Sequence, residues 1–256
     1  MSGGARSLIL VLLVVLLAEG ACLAFLLQRR AWQQGALDRP VQRGEAVALA
    51  MGCFGCHGPG GAAPIPNPGA KGCEVPGWVG GTWMMYNHDA SDLRGWILDG
   101  HPANRTPDPG ALIAMPAYRS RLSTKDADDL VAFVLAASHF GAIDDATASA
   151  GHDAAYRLGC FGCHGPEGRG LVRNPGSFKG FIPPWDGEDY ADLVRDDAEF
   201  AQWVRRGVSD RFRANPAAQA FLTRQAIKMP AFAERVSDEE LRQLAAYVSW
   251  VRAHPR

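Results

Sequence analysis

Two copies of one pentapeptide constrain this chain more than any other feature. They are Cys53-Phe54-Gly55-Cys56-His57 and Cys160-Phe161-Gly162-Cys163-His164, each preceded by Gly and followed by Gly-Pro. Two thiols two residues apart can reach both vinyl groups of one porphyrin, and an imidazole directly after the second thiol can rise beneath its iron. Cys-x-x-Cys-His therefore predicts covalent haem attachment. A zinc centre would need the two cysteine pairs to share a metal across 107 residues. A thioredoxin-like redox pair would need a βαβ context, which the pattern lacks. Repetition of the complete motif sets both aside.

The flanking sequence repeats as well. At the same offset of 107, Asn67-Pro68-Gly69 matches Asn174-Pro175-Gly176, Trp78 matches Trp185, Trp96 matches Trp203 and Gly100 matches Gly207. The second copy then carries seven extra residues around 215–219, after which Met115-Pro116-Ala117-Tyr118 matches Met229-Pro230-Ala231-Phe232 at an offset of 114. Each copy reads as helices joined by Gly/Pro-rich loops: a short helix before the motif (44–51, 151–158), a middle helix (91–98, 197–206) and a last helix beginning near Ser123 and Ser237. Ser237-Asp238-Glu239-Glu240 is a capping box, and Leu241, Leu244, Ala245 and Val248 follow at helical spacing. No stretch alternates strongly enough to predict a sheet.

With these motifs on the page, the chain after residue 40 resembles the class I c-type cytochromes, and specifically their dihaem, membrane-anchored members. The resemblance implies an all-α fold: two tandem class I cytochrome c-like haem domains behind an N-terminal transmembrane helix. It also implies two covalently bound haem c groups, held through Cys53, Cys56, Cys160 and Cys163, with His57 and His164 on one side of each iron and a Met sulfur on the other. Met229 is the only methionine of the second copy, so a sulfur ligand there must be Met229. The first copy offers Met51, Met84, Met85 and Met115, of which Met115 alone has the matching Met-Pro-Ala-aromatic setting. Gap-filling core methionines are the lesser alternative for both. Pro68 and Pro175, eleven residues after each motif histidine, resemble the family proline whose carbonyl accepts the imidazole N–H; loop punctuation is the alternative.

Residues 8–27 are almost all apolar, interrupted by Glu19 and Gly20, and are long enough to span a bilayer. The expected organisation is an anchor or signal peptide at 1–28, a tether at 29–42, one haem domain at 43–140, a linker at 141–150 and a second haem domain at 151–256. The apolar run continues past the small residues that could be a cleavage site, which favours an uncleaved anchor. Glu19 either pairs with a partner helix or lies close enough to the interface to stay wet. Arg29, Arg30, Arg39 and Arg43 follow the anchor, whereas only Arg6 precedes it, so charge bias alone would leave the large part in the cytoplasm. The resemblance implies the opposite: single-pass insertion in the cytoplasmic (inner) membrane with the haem domains on the periplasmic or outer side.

Of six cysteines, four belong to the motifs. Cys22 reads as a small apolar residue of the anchor, and Cys73, aligned with Phe181, as a small interior hydrophobe; a thiolate iron ligand or redox thiol is the sharper reading of Cys73. His88 and His101 have no counterparts in the second copy and read as surface residues. The net charge of −1 gives no reason to expect a nucleic-acid partner. Between 205 and 228, however, Arg205, Arg206, Arg211, Arg213, Arg224 and Lys228 face a single acid, Asp210; the bland reading is a solvated face with one or two arginines neutralising haem propionates, and the sharper one is a docking surface for an acidic redox partner. Irons filled on both sides have no position for substrate and behave as electron carriers. The expected function is thus single-electron transfer between a membrane oxidoreductase and a redox partner, as a respiratory or photosynthetic chain component rather than an enzyme. The alternative is a dihaem enzyme, of peroxidase or thiosulfate-dehydrogenase type, with substrate at one haem.

Overall fold

The computed structural model describes residues 3–79, 87–139 and 143–254. Met84, Met85 and the first expected linker residues, Gly141 and Ala142, lie outside the described residues, as does the side chain of Arg6. The chain forms two compact units, Met1–Asp38 and Arg39–Arg256.

The first unit is essentially helix α1, Gly3–Leu37. Its Ser7–Leu37 stretch is long and apolar enough to cross a membrane, with mean hydropathy 2.8 in its most apolar window. The expected tether at 29–42 is therefore largely helical. Gln, Arg and Ala are good helix formers, so nothing stops the helix at the end of the apolar run. The break comes at Asp38 and Arg39, where Pro40 opens the next helix as its first residue, a position that needs no N–H donor.

In the second unit the repeat becomes a repeated helix pair. In the first copy α2 (Pro40–Ala50) crosses α5 (Thr124–Ala137); in the second α6 (Ala146–Arg157) crosses α12 (Asp238–Ala253). Both crossings need glycine. A Cβ on Gly44 would lie 2.0 Å from the Asp129 carbonyl oxygen, and one on Gly151 would lie 1.9 Å from that of Gln243. Around each crossing sits a separate core: Val41, Ala48, Leu130, Phe133 and Val134 in the first copy, Ala155, Leu244, Tyr247 and Val251 in the second. The linker expected at 141–150 is short, because α6 already starts at Ala146 with Asp145 capping the Ala148 N–H. The capping box at Ser237 is present, and Ser123 with Asp126 forms another at the start of α5.

The middle helices, α4 (Ala90–Asp99) and, after the short α8 (Tyr190–Leu193), α9 (Asp197–Arg206), are capped by Asp89 and Asp196 and both end on a left-handed glycine, Gly100 or Gly207. One small sheet was not expected: β1 (Ile65–Pro66) pairs antiparallel with β2 (Glu74–Val75), and a single bridge between Arg173 and Phe181 replaces it in the second copy. Two residues per strand are too few to give an alternation signal. The seven extra residues of the second copy are accommodated by two short helices, α10 (Asp210–Ala214) and α11 (Pro216–Arg224), the latter capped by Asn215.

Candidate haem sites

Each pentapeptide follows the first helix of its copy by way of a left-handed glycine, Gly52 or Gly159. The chain then turns into a four-residue helix, α3 (Phe54–His57) or α7 (Phe161–His164). The Cys53 N–H closes back onto the Ala48 carbonyl at 3.0 Å, and the His57 N–H bonds the Cys53 carbonyl at 3.0 Å. Cys160 and His164 repeat these bonds with Ala155 and Cys160, each at 2.9 Å. Positions i, i+3 and i+4 of one helical turn share a face, so both thiols and the imidazole lie on one side of the turn.

The imidazoles are oriented from behind. His57 Nδ1 lies 2.8 Å from the Pro76 carbonyl oxygen, and His164 Nδ1 lies 3.4 Å from that of Pro183. A carbonyl can only accept, so Nδ1 carries the hydrogen and Nε2 keeps its lone pair. Burial lowers the pKa of His57, and takes that of His164 down to about 4 against the weaker opposing pull of the Pro183 carbonyl. A neutral ring with a free Nε2 is the state a metal ligand requires. Trp78 and Trp185 pack on these rings, with centroids 5.3 and 5.0 Å away. The first thiol of each motif is shifted the other way: burial raises the pKa of Cys53 and pushes that of Cys160 up to about 11. Reactive Cys-x-x-Cys pairs usually have a lowered pKa at the first thiol, the opposite of the direction at Cys53 and Cys160.

The expectation for Pro68 and Pro175 needs correction. The carbonyls facing the two imidazoles belong to Pro76 and Pro183, each 19 residues after its histidine. Pro68 and Pro175 instead accept from Leu112 N–H at 3.0 Å and Ala226 N–H at 2.8 Å, three residues before Met115 and Met229. The small β-hairpin in the first copy, and its bridged equivalent in the second, lengthen the path from the histidine to the carbonyl that serves it.

Their neighbours, Asn67 and Asn174, make contacts that the sequence alone does not show. Asn67 is 4% exposed; its Nδ2 donates to the Ile113 carbonyl at 2.9 Å and its Oδ1 accepts from Ile113 N–H at 2.8 Å. Asn174, also 4% exposed, grips Ile227 at the same distances. The gripped residue stands two before the methionine in each copy. On the other side, Tyr118 and Phe232, three residues after the methionine, donate their N–H to the Ile97 and Val204 carbonyls of the middle helices. Between the two grips, the Met115 carbonyl oxygen lies 2.5 Å from where a Cβ on Gly100 would be, and the Met229 oxygen 2.2 Å from one on Gly207. Each methionine thus sits in a loop held before, at and after its own position. Met115 packs on the core that Cys53 and Phe54 border, and Met229 on the core that Cys160 and Phe161 border. The Asn-Pro-Gly repeat was a visible signal for these grips, but its partners were not.

Cys73 is exposed, not interior. Its counterpart is Gly180 rather than Phe181: both have positive φ, and their carbonyls accept from Asn67 N–H and Asn174 N–H. His88 is exposed and pairs with Asp92 at 2.9 Å, while His101 Nδ1 lies 3.1 Å from the Pro102 carbonyl oxygen. Half of the basic run is neutralised internally. Arg205 pairs with Asp238, Arg206 with Asp210 at 2.9 Å and Arg211 with Glu199 at 2.6 Å, a contact that holds the Glu199 carboxyl down to about 2. Arg213, Arg224 and Lys228 have no ion-pair partner among the described residues. Among those residues, too, no three His, Cys, Asp or Glu side chains converge on a possible metal position.

The fold and sites therefore define a mostly helical protein carrying two similar domains, each presenting two thiols, a neutral imidazole and a tethered thioether, behind one apolar helix. Residues 41–138 match the family model described as cytochrome c, and residues 146–248 match that described as cytochrome c oxidase, cbb3-type, subunit III. A cytochrome c-family domain and a cbb3-type oxidase subunit III domain are thus both present, and domains of the cytochrome c family bind haem c in general. No curated protein and no solved structure matches the chain.

Proposed function

We propose that the chain is a membrane-anchored dihaem c-type cytochrome that passes single electrons between a membrane oxidoreductase and a second redox partner. The observation that carries this reading is the double occurrence of one arrangement: a Cys-x-x-Cys-His turn whose imidazole is held at Nδ1, beside a methionine loop fixed on both sides. The donor set fits haem c. Cys53 and Cys56, and Cys160 and Cys163, would carry the two thioether bonds; His57 and His164 would supply Nε2; Met115 and Met229 would supply sulfur. Bound there, each haem supplies a one-electron Fe(III)/Fe(II) couple, with a potential raised by the Met ligand. The protein's part is positional. The Pro76 and Pro183 carbonyls fix ring orientation, the Asn67 and Asn174 grips keep the sulfur in place, and both together favour electron transfer over substrate binding.

The subunit III match supports a membrane oxidoreductase complex as partner, and α1 supports anchoring. Covalent attachment chemistry favours haem domains on the periplasmic or outer face. An acidic second partner would meet Arg213, Arg224 and Lys228, the unneutralised part of the basic run. Pyridine haemochrome assay should give two haems per chain, and the reduced protein should resist carbon monoxide and cyanide. Stoichiometric carbon monoxide binding at one haem would favour the dihaem enzyme instead.

A further inference from the structure

Arg169 is a guanidinium with 0% side-chain exposure on the loop just after the second motif. It lies 3.2 Å from Asp186, whose side chain is 1% exposed, and 3.4 Å from Glu167. Asp186 also binds Arg39, and the Arg169 carbonyl accepts from the Gln42 side chain. Arg39 and Gln42 stand at the start of α2, in the first copy; the other three residues belong to the second. A balanced set of two guanidiniums and two carboxylates, all buried except the half-buried Arg39, therefore lies across the boundary between the two copies.

The repeat itself says what these charges are for. At the offset of 107, Glu167, Arg169 and Asp186 correspond to Gly60, Ala62 and Val79. The first copy builds the same motif, the same imidazole contact and the same methionine grip without them, so the haem-site fold does not require them. Gly60, Ala62 and Val79 instead line an open cleft of about 280 Å³ together with Tyr156, Phe161 and Pro166 of the second copy. The loops following both motif histidines thus border the boundary, one apolar and one charged. Buried ion pairs add little net stability compared with apolar packing, but few arrangements satisfy all their members at once. Arg39 Nη1, Gln42 Oε1, Arg169 Nη2 and Asp186 Oδ1 are buried without a protein partner among the described residues, so even this docking has polar atoms to spare and a shifted one would leave more.

We propose that Arg39, Gln42, Arg169 and Asp186 form a clasp that fixes the second haem domain on the first, so that electrons cross between the two haems inside one chain at a set distance. They are positioning residues, and the proposal rests on the two-haem reading above. The test replaces the charged loop by its own first-copy counterpart, Glu167→Gly, Arg169→Ala and Asp186→Val, in the full-length protein in detergent. Pulsed electron paramagnetic resonance between the two ferric haems should give one narrow distance distribution for the parent and lose it in the variant. Intramolecular electron equilibration should slow, while each haem keeps its own optical spectrum. Arg205→Ala, which breaks only the exposed pair with Asp238, should leave the distribution narrow. The same readout on Arg39→Ala with Gln42→Ala approaches the clasp from the other side and decides the matter should the loop variant not fold. A narrow, unshifted distribution in the folded variants overturns the proposal. Amide hydrogen exchange at 39–42 and 166–169 reads the clasp without haem: faster exchange in the variants supports it, unchanged exchange refutes it. A parent with fewer than two haems would sink the two-haem reading and leave this second arm standing.

Discussion

Replacing Asn174 by alanine should open the second haem site without disturbing the first. The substitution removes two hydrogen bonds, to the carbonyl at 2.9 Å and from the N–H at 2.8 Å of Ile227. Each such bond contributes about 1 kcal/mol net, and leaving its partner unsatisfied costs about 1–3 kcal/mol. Ile227 is half-buried, so water reaches the orphaned groups and the low end applies, about 2 kcal/mol for the pair. That is roughly a 30-fold larger population of loops with Met229 displaced. An external ligand competes with the sulfur only in that population, so its apparent affinity rises by the same roughly 30-fold. The assay is cyanide or imidazole titration of the ferric protein, with the two haems resolved spectroscopically. Asn174→Asp keeps the acceptor for Ile227 N–H but turns a second acceptor onto the Ile227 carbonyl in a buried setting, and should raise the affinity no less than alanine does. Asn67→Ala should transfer the whole effect to the first haem. Affinity at the second haem within about threefold of the parent, in a protein with unchanged helicity, would refute the reasoning.

Met229→Ala should turn one haem high-spin and lower its potential, Met115→Ala should do so for the other, and a redox titration with electron paramagnetic resonance on each variant separates them. Gly151→Ala places a Cβ 1.9 Å from the Gln243 carbonyl oxygen and should cost about 1–3 kcal/mol or more, lowering Tm by about 4–8 °C per kcal/mol, whereas Gly162→Ala meets nothing within 4 Å and should leave Tm unchanged. His139 has its pKa lowered to about 4, by burial first and by neighbouring His152 second. The unfolded chain therefore binds the extra proton over pH 6.5 to 4, and stability fully present above 6.5 should decline by up to about 3 kcal/mol as pH falls through that window. His139→Phe should flatten the decline in urea midpoints measured against pH.

The candidate sites are legible in the sequence where the pattern is local. Cys-x-x-Cys-His fixes its own geometry within one helical turn, and the Met-Pro-Ala-aromatic repeat singled out Met115 and Met229 without any knowledge of the fold. The proline contact was misplaced because a carbonyl carries no side-chain identity: any residue in the right loop could face His57, and only the path of the hairpin shows that Pro76 does. Asn67 and Asn174 were visible as a repeat but mute as to partner, since Ile113 and Ile227 offer main-chain atoms that every residue has. Cys73 was matched one residue off, and the shared positive φ of Cys73 and Gly180 corrects the register. The end of α1 was misread because hydropathy marks where a membrane can end, not where a helix must. Arg205 and Arg211 read as free in the sequence because their partners, Asp238 and Glu199, lie outside the 205–228 stretch, while Arg206 takes Asp210, the one acid inside it.

The three holds on each methionine loop let the path between the Gly207 approach and the Ile227 grip vary in length. Between Gly207 and Ala226 the second copy spends two short helices, α10 and α11, on a path that the first copy covers with seven fewer residues and no helix. Yet the grip at Ile227, the close approach at Gly207 and the bond to Val204 match their first-copy counterparts. Length variation is absorbed before it reaches the sulfur. That segment is accordingly a port: loops, tags or partner-recognition peptides spliced between Ser209 and Gln225 should change what the protein meets while leaving the second iron's coordination intact.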